Sequence, residues 1–400
     1  MNIQPRLIQL FFVIIFLSTA CSKQLESKRW YKGNLHTHSY WSDGDEFPEM
    51  IMDWYKSNNY QFVALSDHNI LAEGEKWKAI PNSLLLKKGF EKYLQKYGKD
   101  WVVYKEDSSG LSVKLKTLEE YRPLFEEAGK FLILQSEEIT TNFGDKPIHI
   151  NATNIQELIL PREGKSVVEV MQNNIDAVLE QRERTGTPMF PHINHPNFYY
   201  GISAQDIINV KGERFFEVYN GHPLVNNFGD SVHLSTEEMW DMINIAYIKK
   251  NQPLIYGIAT DDSHNYHTFG EEYSNSGRGW VMVLAEELSP GALINAMESG
   301  DFYASTGVTL KKADYSDPHI EVEVEPQSGV SYEIQFIGAT RKDEKSSLLK
   351  KEAGNKAQFT LSEEHLFVRA KIISTKIKEN PFQPGEFETA WTQPVKPRQP

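Results

Sequence analysis

From Trp30 to about Thr309 the sequence alternates short apolar runs with longer amphipathic ones, and that alternation restricts the fold more than any other feature. Strands are predicted at 33–36, 61–65, 131–135, 147–151, 187–191, 214–219, 253–258 and 280–284. Helices are predicted at 47–58, 118–128, 167–185, 236–250 and 290–298. Three of these helices open with a hydroxyl residue and a glutamate three positions on: Thr117 with Glu120, Ser166 with Glu169, and Ser235 with Glu238. Strands separated by helices imply an α/β architecture with parallel strands. The charged stretch 71–121, with a helix predicted at 84–97, reads as an insertion over the top of that architecture. After about residue 310 the pattern changes to strands without helices, at 320–324, 332–337, 357–360 and 366–372. Residues 310–393 therefore read as a small antiparallel β-sandwich-like domain, followed by a proline-containing tail at 394–400.

The first twenty residues carry Arg6, an apolar run at 10–17 and the small residues Ser18, Thr19 and Ala20 ahead of Cys21. The apolar run is too short to span a bilayer of roughly 30 Å. The segment resembles a bacterial lipoprotein signal. That resemblance implies export, a lipid anchor at Cys21 in the cell envelope and a tether over 21–29; a plain secretory or periplasmic signal is the alternative. Cys21 is the only cysteine, which excludes intramolecular disulfides and cysteine-rich zinc or iron–sulfur sites. Forty-two Lys and Arg against 55 Asp and Glu leave a net charge of −13, so the chain lacks the basic footprint of a nucleic-acid binder and no such partner is inferred.

Nearly every predicted strand runs into a residue of metal-ligating type. The first leads to His36, His38 and Asp43, the second to Asp67 and His68, and the third to Glu137 and Glu138. The fourth contains His149, the fifth leads to His192 and His195, the sixth carries Glu217 before Asn220, and the seventh leads to Asp261, Asp262 and His264. Parallel α/β barrels bring strand C-termini to one rim, so these positions are expected to converge on one mouth. One histidine pair alone is a weak signal; seven histidines sharing one placement are a strong one. His222, His233, His319 and His365 lack that placement and read as ordinary surface histidines, while His267 is left open. Of Glu137 and Glu138, neighbours on one strand, only one can face the mouth.

The stretches GNLHTHSYWSDG, ALSDHN, SEEIT, IHINA, NHPN, FEVYNG and GIATDDSH, with FYASTG near Phe302, together resemble the PHP (polymerase and histidinol phosphatase) family of metal-dependent hydrolases over about residues 32–309. The exported members with a C-terminal β-domain, including the carbaryl-type ester hydrolases, look most similar. The resemblance implies a distorted (β/α)7 barrel holding two or three divalent ions of zinc, manganese or iron. One ion would take His36, His38, Glu138 and Asp262. A second would share Glu138 and take His149 and His195. A third would take Asp43, His68 and His264. Asp67, Glu217, Asn220 and Asp261 would orient imidazoles or hold the rim, and His192 would assist them or donate a proton to the leaving group. The expected reaction is hydrolysis of a phosphomonoester or phosphodiester by water activated between ions. Arg278 is the expected phosphate-binding cation, and the loops at 71–121 and 194–202 would shape the pocket. A carboxylester, carbamate or amide hydrolase on the same ions is the second expectation, and a non-catalytic surface binding protein the third. The oligomeric state is left open.

Overall fold

The structure, a computed structural model, describes residues 28–397. The expected export segment, Cys21 and most of the tether lie outside the described residues, as do the last three residues of the tail. The chain opens with β1 (Arg29–Asn34), α1 (Pro48–Ser57) and β2 (Phe62–Leu65). The insertion supplies β3 (Trp77–Ala79), α2 (Leu84–Tyr97), β4 (Tyr104–Asp107) and β5 (Gly110–Lys114). Then follow α3 (Leu118–Phe125), β6 (Leu132–Phe143), β7 (Lys146–Thr153), α4 (Val167–Thr185), β8 (Phe190–Ile193), α5 (Ala204–Ile207) and β9 (Phe215–Asn220). Next come α6 (Thr236–Lys249), β10 (Tyr256–Thr260), β11 (Trp280–Ala285), α7 (Pro290–Glu298) and β12 (Phe302–Ser305). The remainder is β13 (Leu310–Ser316), β14 (His319–Val324), β15 (Tyr332–Thr340), β16 (Ser347–Ala353), β17 (Lys356–Thr360), β18 (His365–Ile377) and β19 (Phe387–Thr392). Thr117 with Glu120 and Ser235 with Glu238 form reciprocal capping boxes. Ser166 accepts from the Glu169 N–H, while the Glu169 carboxylate turns to the Lys165 N–H.

One mixed sheet runs through the molecule in the order β10-β9-β8-β7-β6-β2-β1-β11-β12-β19-β18-β15-β16. β1, β2 and β6 are parallel neighbours, as are β8, β9 and β10. The parallel strand order expected from the alternation is interrupted at two places. β7 is antiparallel to both β6 and β8, and β11 is antiparallel to β1. The cause at β7 is local. Only Gly144 and Asp145 separate β6 from β7, Gly144 turns at φ 64°, and so short a link cannot make the crossover a parallel pair requires. At the opposite end the sheet turns back on itself. The segment after β10 meets the segment after β1 through the Asp262 N–H to the His36 carbonyl (3.0 Å) and the His38 N–H to the Ser263 carbonyl (2.9 Å). The strand ends that carry metal-type residues are thereby joined into one rim.

β2, β9 and β10 are buried at every position, so their apolar residues do not alternate with exposed polar ones. Val170, Met171, Ile175 and Val178 of α4 pack with Ile148, Ile150 and Ile193 in one core, and Leu293, Ile294 and Met297 of α7 pack with Val281 and Val283 in another. The insertion folds as its own small sheet, β3-β5-β4, whose Val113 joins Phe90 and Tyr93 against Tyr40, Trp41 and Phe47.

The C-terminal strands form a two-layer sandwich. Ile320, Val322 and Val324 of the β13-β14-β17 layer face Ile334, Phe336, Val368 and Ile372 of the other. The second layer is continuous with the main sheet, because β19 returns to pair with β12. Buried Arg369 crosses to α6, where Nε meets Asp241 at 2.7 Å and Nη2 meets Asp241 at 2.9 Å and Glu237 at 3.2 Å. Truncating one partner of a buried pair leaves the other charge uncompensated. Arg369→Ala is expected to destabilise the protein by about 3–5 kcal/mol, read as a lower urea midpoint; an unchanged midpoint would show that this junction contributes nothing to stability.

Candidate metal centre

Glu138 stands at the middle of the rim, buried, at the point where β6 passes β2. His36 Nε2 lies 3.5 Å from its Oε1 and His38 Nε2 lies 3.4 Å from its Oε2. The same two nitrogens are each 3.2 Å from Asp262 Oδ1 and 3.1 Å from one another. Donors on a tetrahedral ion with bonds of about 2.1 Å would sit about 3.4 Å apart, so His36, His38 and Glu138 are spaced to share one divalent cation, with Asp262 bordering both histidines. On the other side of Glu138, Oε1 is 2.9 Å from His149 Nδ1 and 3.3 Å from His195 Nε2. A third group gathers at the outer edge, where Asp43 lies 3.4 Å from His68 Nε2 and 3.4 Å from His264 Nε2. His68 also presents Nδ1 to Glu138 at 2.8 Å, so it faces two of the three groups. All nine ligand positions expected from the sequence are thus brought into one cluster. The donors are nitrogen and oxygen without thiolate, a set suited to zinc, manganese or iron(II).

The surrounding side chains hold these donors in place. Glu217 takes the Nδ1–H of His36 at 2.7 Å and the His195 backbone N–H at 2.8 Å. Asn194 donates to Glu138 Oε1 at 2.7 Å, and Asn220 donates to Asp262 Oδ2 at 3.1 Å. Asp67 accepts from the backbone and hydroxyl groups of both Ser39 and Ser42, which fixes the loop that carries Asp43. Asp261 points away from the mouth, to the Tyr55 hydroxyl at 2.8 Å and the backbone N–H groups of Arg278 and Gly279. Burial alone would raise the Glu138 carboxyl; His68, His36 and His149 overcome it and hold the group well below the usual carboxylate range. Asp262 is held low against the same burial, chiefly by His36 and His38.

Two expected roles are corrected. Arg278 does not face the mouth: it is 0 % exposed. Its Nη1 donates to the carbonyls of Gly221 (2.9 Å) and Tyr273 (2.5 Å), its Nη2 to that of Gly270 (2.7 Å), and its Nε to that of Asn380 (3.1 Å). Nη2 also lies 3.3 Å from both the Asn380 side chain and the Pro381 carbonyl. With its donors engaged, the guanidinium ties the loops at Gly221 and Gly270–Tyr273 to Asn380 and Pro381 in the C-terminal part, and it is not free to hold a phosphoryl group. His192 lies fully buried, its ring 6.3 Å from that of His36 and its Nε2 3.5 Å from Glu217, which fits the expected supporting role and not that of a proton donor to a leaving group.

One residue read as ordinary belongs to the site. The His222 ring lies 5.6 Å from the His264 ring and 5.9 Å from that of Phe198. The signal was present, since His222 follows the end of β9 by two residues. Glu137 turns the other way and accepts the Ile159 N–H at 2.6 Å.

No family model and no curated protein matches the chain. Among solved structures it is similar to a two-domain protein from Bacteroides vulgatus containing a predicted PHP-like metal-dependent phosphoesterase. That match has a TM-score of 0.42 and 15 % identity, and it covers 90 % of this chain and 94 % of that one. It is also similar to an amidohydrolase from Chromobacterium violaceum with bound sulfate and no metal, with a TM-score of 0.29 and 13 % identity, covering 61 % of this chain and 90 % of that one. Likeness at this level does not bear on the chemistry, which rests on the donor geometry.

The opposed orientations of Glu137 and Glu138 are separable by experiment. Glu138→Gln is expected to remove at least half of the divalent metal bound per chain, measured by elemental analysis, and Glu137→Gln to leave it unchanged. Burial raises the Glu137 carboxyl from 4.5 to about 8. The unfolded chain therefore loses this proton first as pH rises. The stability it contributes is complete below about pH 4.5 and is lost through about pH 8. Glu137→Gln should accordingly reduce the fall in Tm across that window, whereas an unaltered fall would place the group in a different environment.

Proposed function

We propose that the chain is an exported metal-dependent hydrolase, tethered at Cys21, that cleaves phosphoesters. The observation that carries this reading is the set of four donors around Glu138 and Asp262 at 3.1–3.5 Å, with further imidazoles on either side of it. Divalent ions held there supply Lewis-acid charge for an ester oxygen and lower the pKa of water towards neutrality. The chain's own part is to hold the donors. Glu138 Oε1 faces His36, His149 and His195 while Oε2 faces His38 and His68, so a single carboxylate ties the neighbouring donor sets together. Glu217 keeps Nε2 of His36 turned inward by binding its Nδ1. Asn194 and Asn220 fix the carboxylates of Glu138 and Asp262.

Cleavage of a carboxylester or carbamate is the second reading. Two observations favour it: Arg278 is withdrawn from the mouth, and the nearby wall around Phe198 has no charge. The two readings separate on a panel of p-nitrophenyl phosphate, bis-p-nitrophenyl phosphate and p-nitrophenyl acetate after reconstitution with manganese or zinc. Phosphoester turnover exceeding acetate turnover supports the first reading, and the reverse supports the second. Fewer than one bound divalent ion per chain after reconstitution would refute both. Arg278→Ala is expected to lower Tm and to depress both turnovers together, because the residue braces the loops rather than the substrate.

A further inference from the structure

One flank of the metal centre is built from two loops with no charged side chain near the ligands. After β8 comes Phe198-Tyr199-Tyr200-Gly201-Ile202, and after β9 comes Gly221-His222-Pro223-Leu224-Val225. The loops are joined by an antiparallel bridge between Phe198 and Val225, and by Asn197 Nδ2 donating to the carbonyls of Asn226 (2.9 Å) and Leu234 (2.9 Å). The Phe198 ring lies 5.1 Å from that of His195 and 6.1 Å from that of His149, so it borders the ligands directly. Tyr199 packs beside it at 4.6 Å and remains 65 % exposed, and Leu224 is 51 % exposed.

The backbone here is strained. Tyr199 and Tyr200 are consecutive bulky residues at φ 49° and 52°, in the left-handed region. Such residues cost of order 1–3 kcal/mol each and persist only where surrounding structure enforces them. The enforcing contacts are visible: Tyr200 stacks on His233 at 3.7 Å, and His233 pairs with Asp230 at 2.9 Å. The outcome of that strain is an aromatic face beside the ligands with a second ring at its rim.

His222 completes the wall. Its Nδ1 accepts the Leu224 N–H at 3.1 Å, so the neutral ring carries its proton on Nε2. With Nδ1 engaged as an acceptor, the ring presents Nε2–H as its one donor.

We propose that Phe198, Tyr199 and His222 form the leaving-group subsite of this centre. It takes a flat aromatic alcohol against the Phe198 ring, and the His222 Nε2–H donates a hydrogen bond to an oxygen of the bound ester. The proposal rests on the phosphoester reading above and adds the class of alcohol. An uncharged aromatic face favours an aryl group through stacking and apolar burial, and it offers no counter-charge to a leaving group bearing further phosphates.

The test is calorimetric binding of phenylphosphonate and methylphosphonate, which are not hydrolysed, to the purified zinc-loaded protein. The phenyl compound is expected to bind at least about tenfold more tightly. Phe198→Ala, and independently Phe198→Leu, should shrink that preference to about threefold or less at unchanged metal content. His222→Ala should weaken both compounds alike by about tenfold, and His222→Gln, which keeps an N–H donor, should recover part of the loss. Equal binding of the two phosphonates by the unaltered protein overturns the subsite while leaving the phosphoester reading intact. A preference that survives both Phe198 variants overturns it as well. Binding of neither phosphonate at full metal occupancy overturns the phosphoester reading and the subsite with it.

Discussion

Burying several carboxylates together is costly unless positive charge is buried with them, and this requirement organises the molecule around Glu138. Glu138, Glu217 and Asp262 are all buried within one rim. Their compensation comes from imidazoles, and the imidazoles respond unequally. His36 is raised well above its ordinary value: Asp262, Glu217 and Glu138 outweigh its burial. His68 is raised to about 11, chiefly by Glu138 acting against burial. His38 is pushed down to about 3 by burial and by His264 and His68. A cluster in this state balances its charge with protons on some rings and none on others. Divalent ions balance the same charge with neutral rings, so metal and protons compete for one set of atoms.

The rest of the fold reads as support for that cluster. The donors come from segments more than two hundred residues apart, and their mutual spacing depends on backbone contacts rather than on side-chain reach. The most direct of these is the exchange between the segments after β1 and β10, which sets His36 and His38 beside Asp262. The β6–β7 hairpin is the second, since antiparallel pairing places His149 opposite Thr140, two residues beyond Glu138 on the facing strand. The Asp67 clamp on Ser39 and Ser42 is the third, and it fixes the outermost loop. A donor set held from three directions pays little reorganisation when a cation enters.

The C-terminal sandwich takes part in this support. Its second layer continues the main sheet through β12 and β19, Arg369 reaches α6, and Arg278 receives carbonyls from Asn380 and Pro381 while holding Gly221 and Gly270. Gly221 immediately precedes His222, so the brace made by Arg278 reaches the wall of the mouth through one residue. The C-terminal sandwich, which supplies none of the nine candidate ligands, therefore helps position the part of the chain that does.

Placement of the helices and of the strands that carry the rim was legible from the sequence because apolar period and capping residues are local properties, whereas the short, largely exposed strands β3 and β4 of the insertion and β16 of the sandwich gave no such pattern. The recurrence of metal-type residues at strand ends was legible from the sequence, but the choice of nine among them rested on motif resemblance, because Asp67, Glu137, His192, Glu217 and Asp261 share the same placement. Direction was not legible at β7: the run Pro147–Asn151 around His149 looks the same in either sense, and only the length of the turn after Phe143 distinguishes them. The choice between Glu137 and Glu138 depended on which face of β6 meets β2, a matter of strand pairing. Arg278 was misjudged because an arginine between glycines near a strand carries no mark of which carbonyls will surround it. His222 was passed over because its nearness to His264 and Phe198 exists only once the loops after β8 and β9 are bridged. By itself the sequence determined which atoms could bind a cation and roughly where along the strands they lie. The tertiary structure decided which of the remaining polar and aromatic side chains face them, because that depends on strand direction, loop pairing and burial, none of which is local.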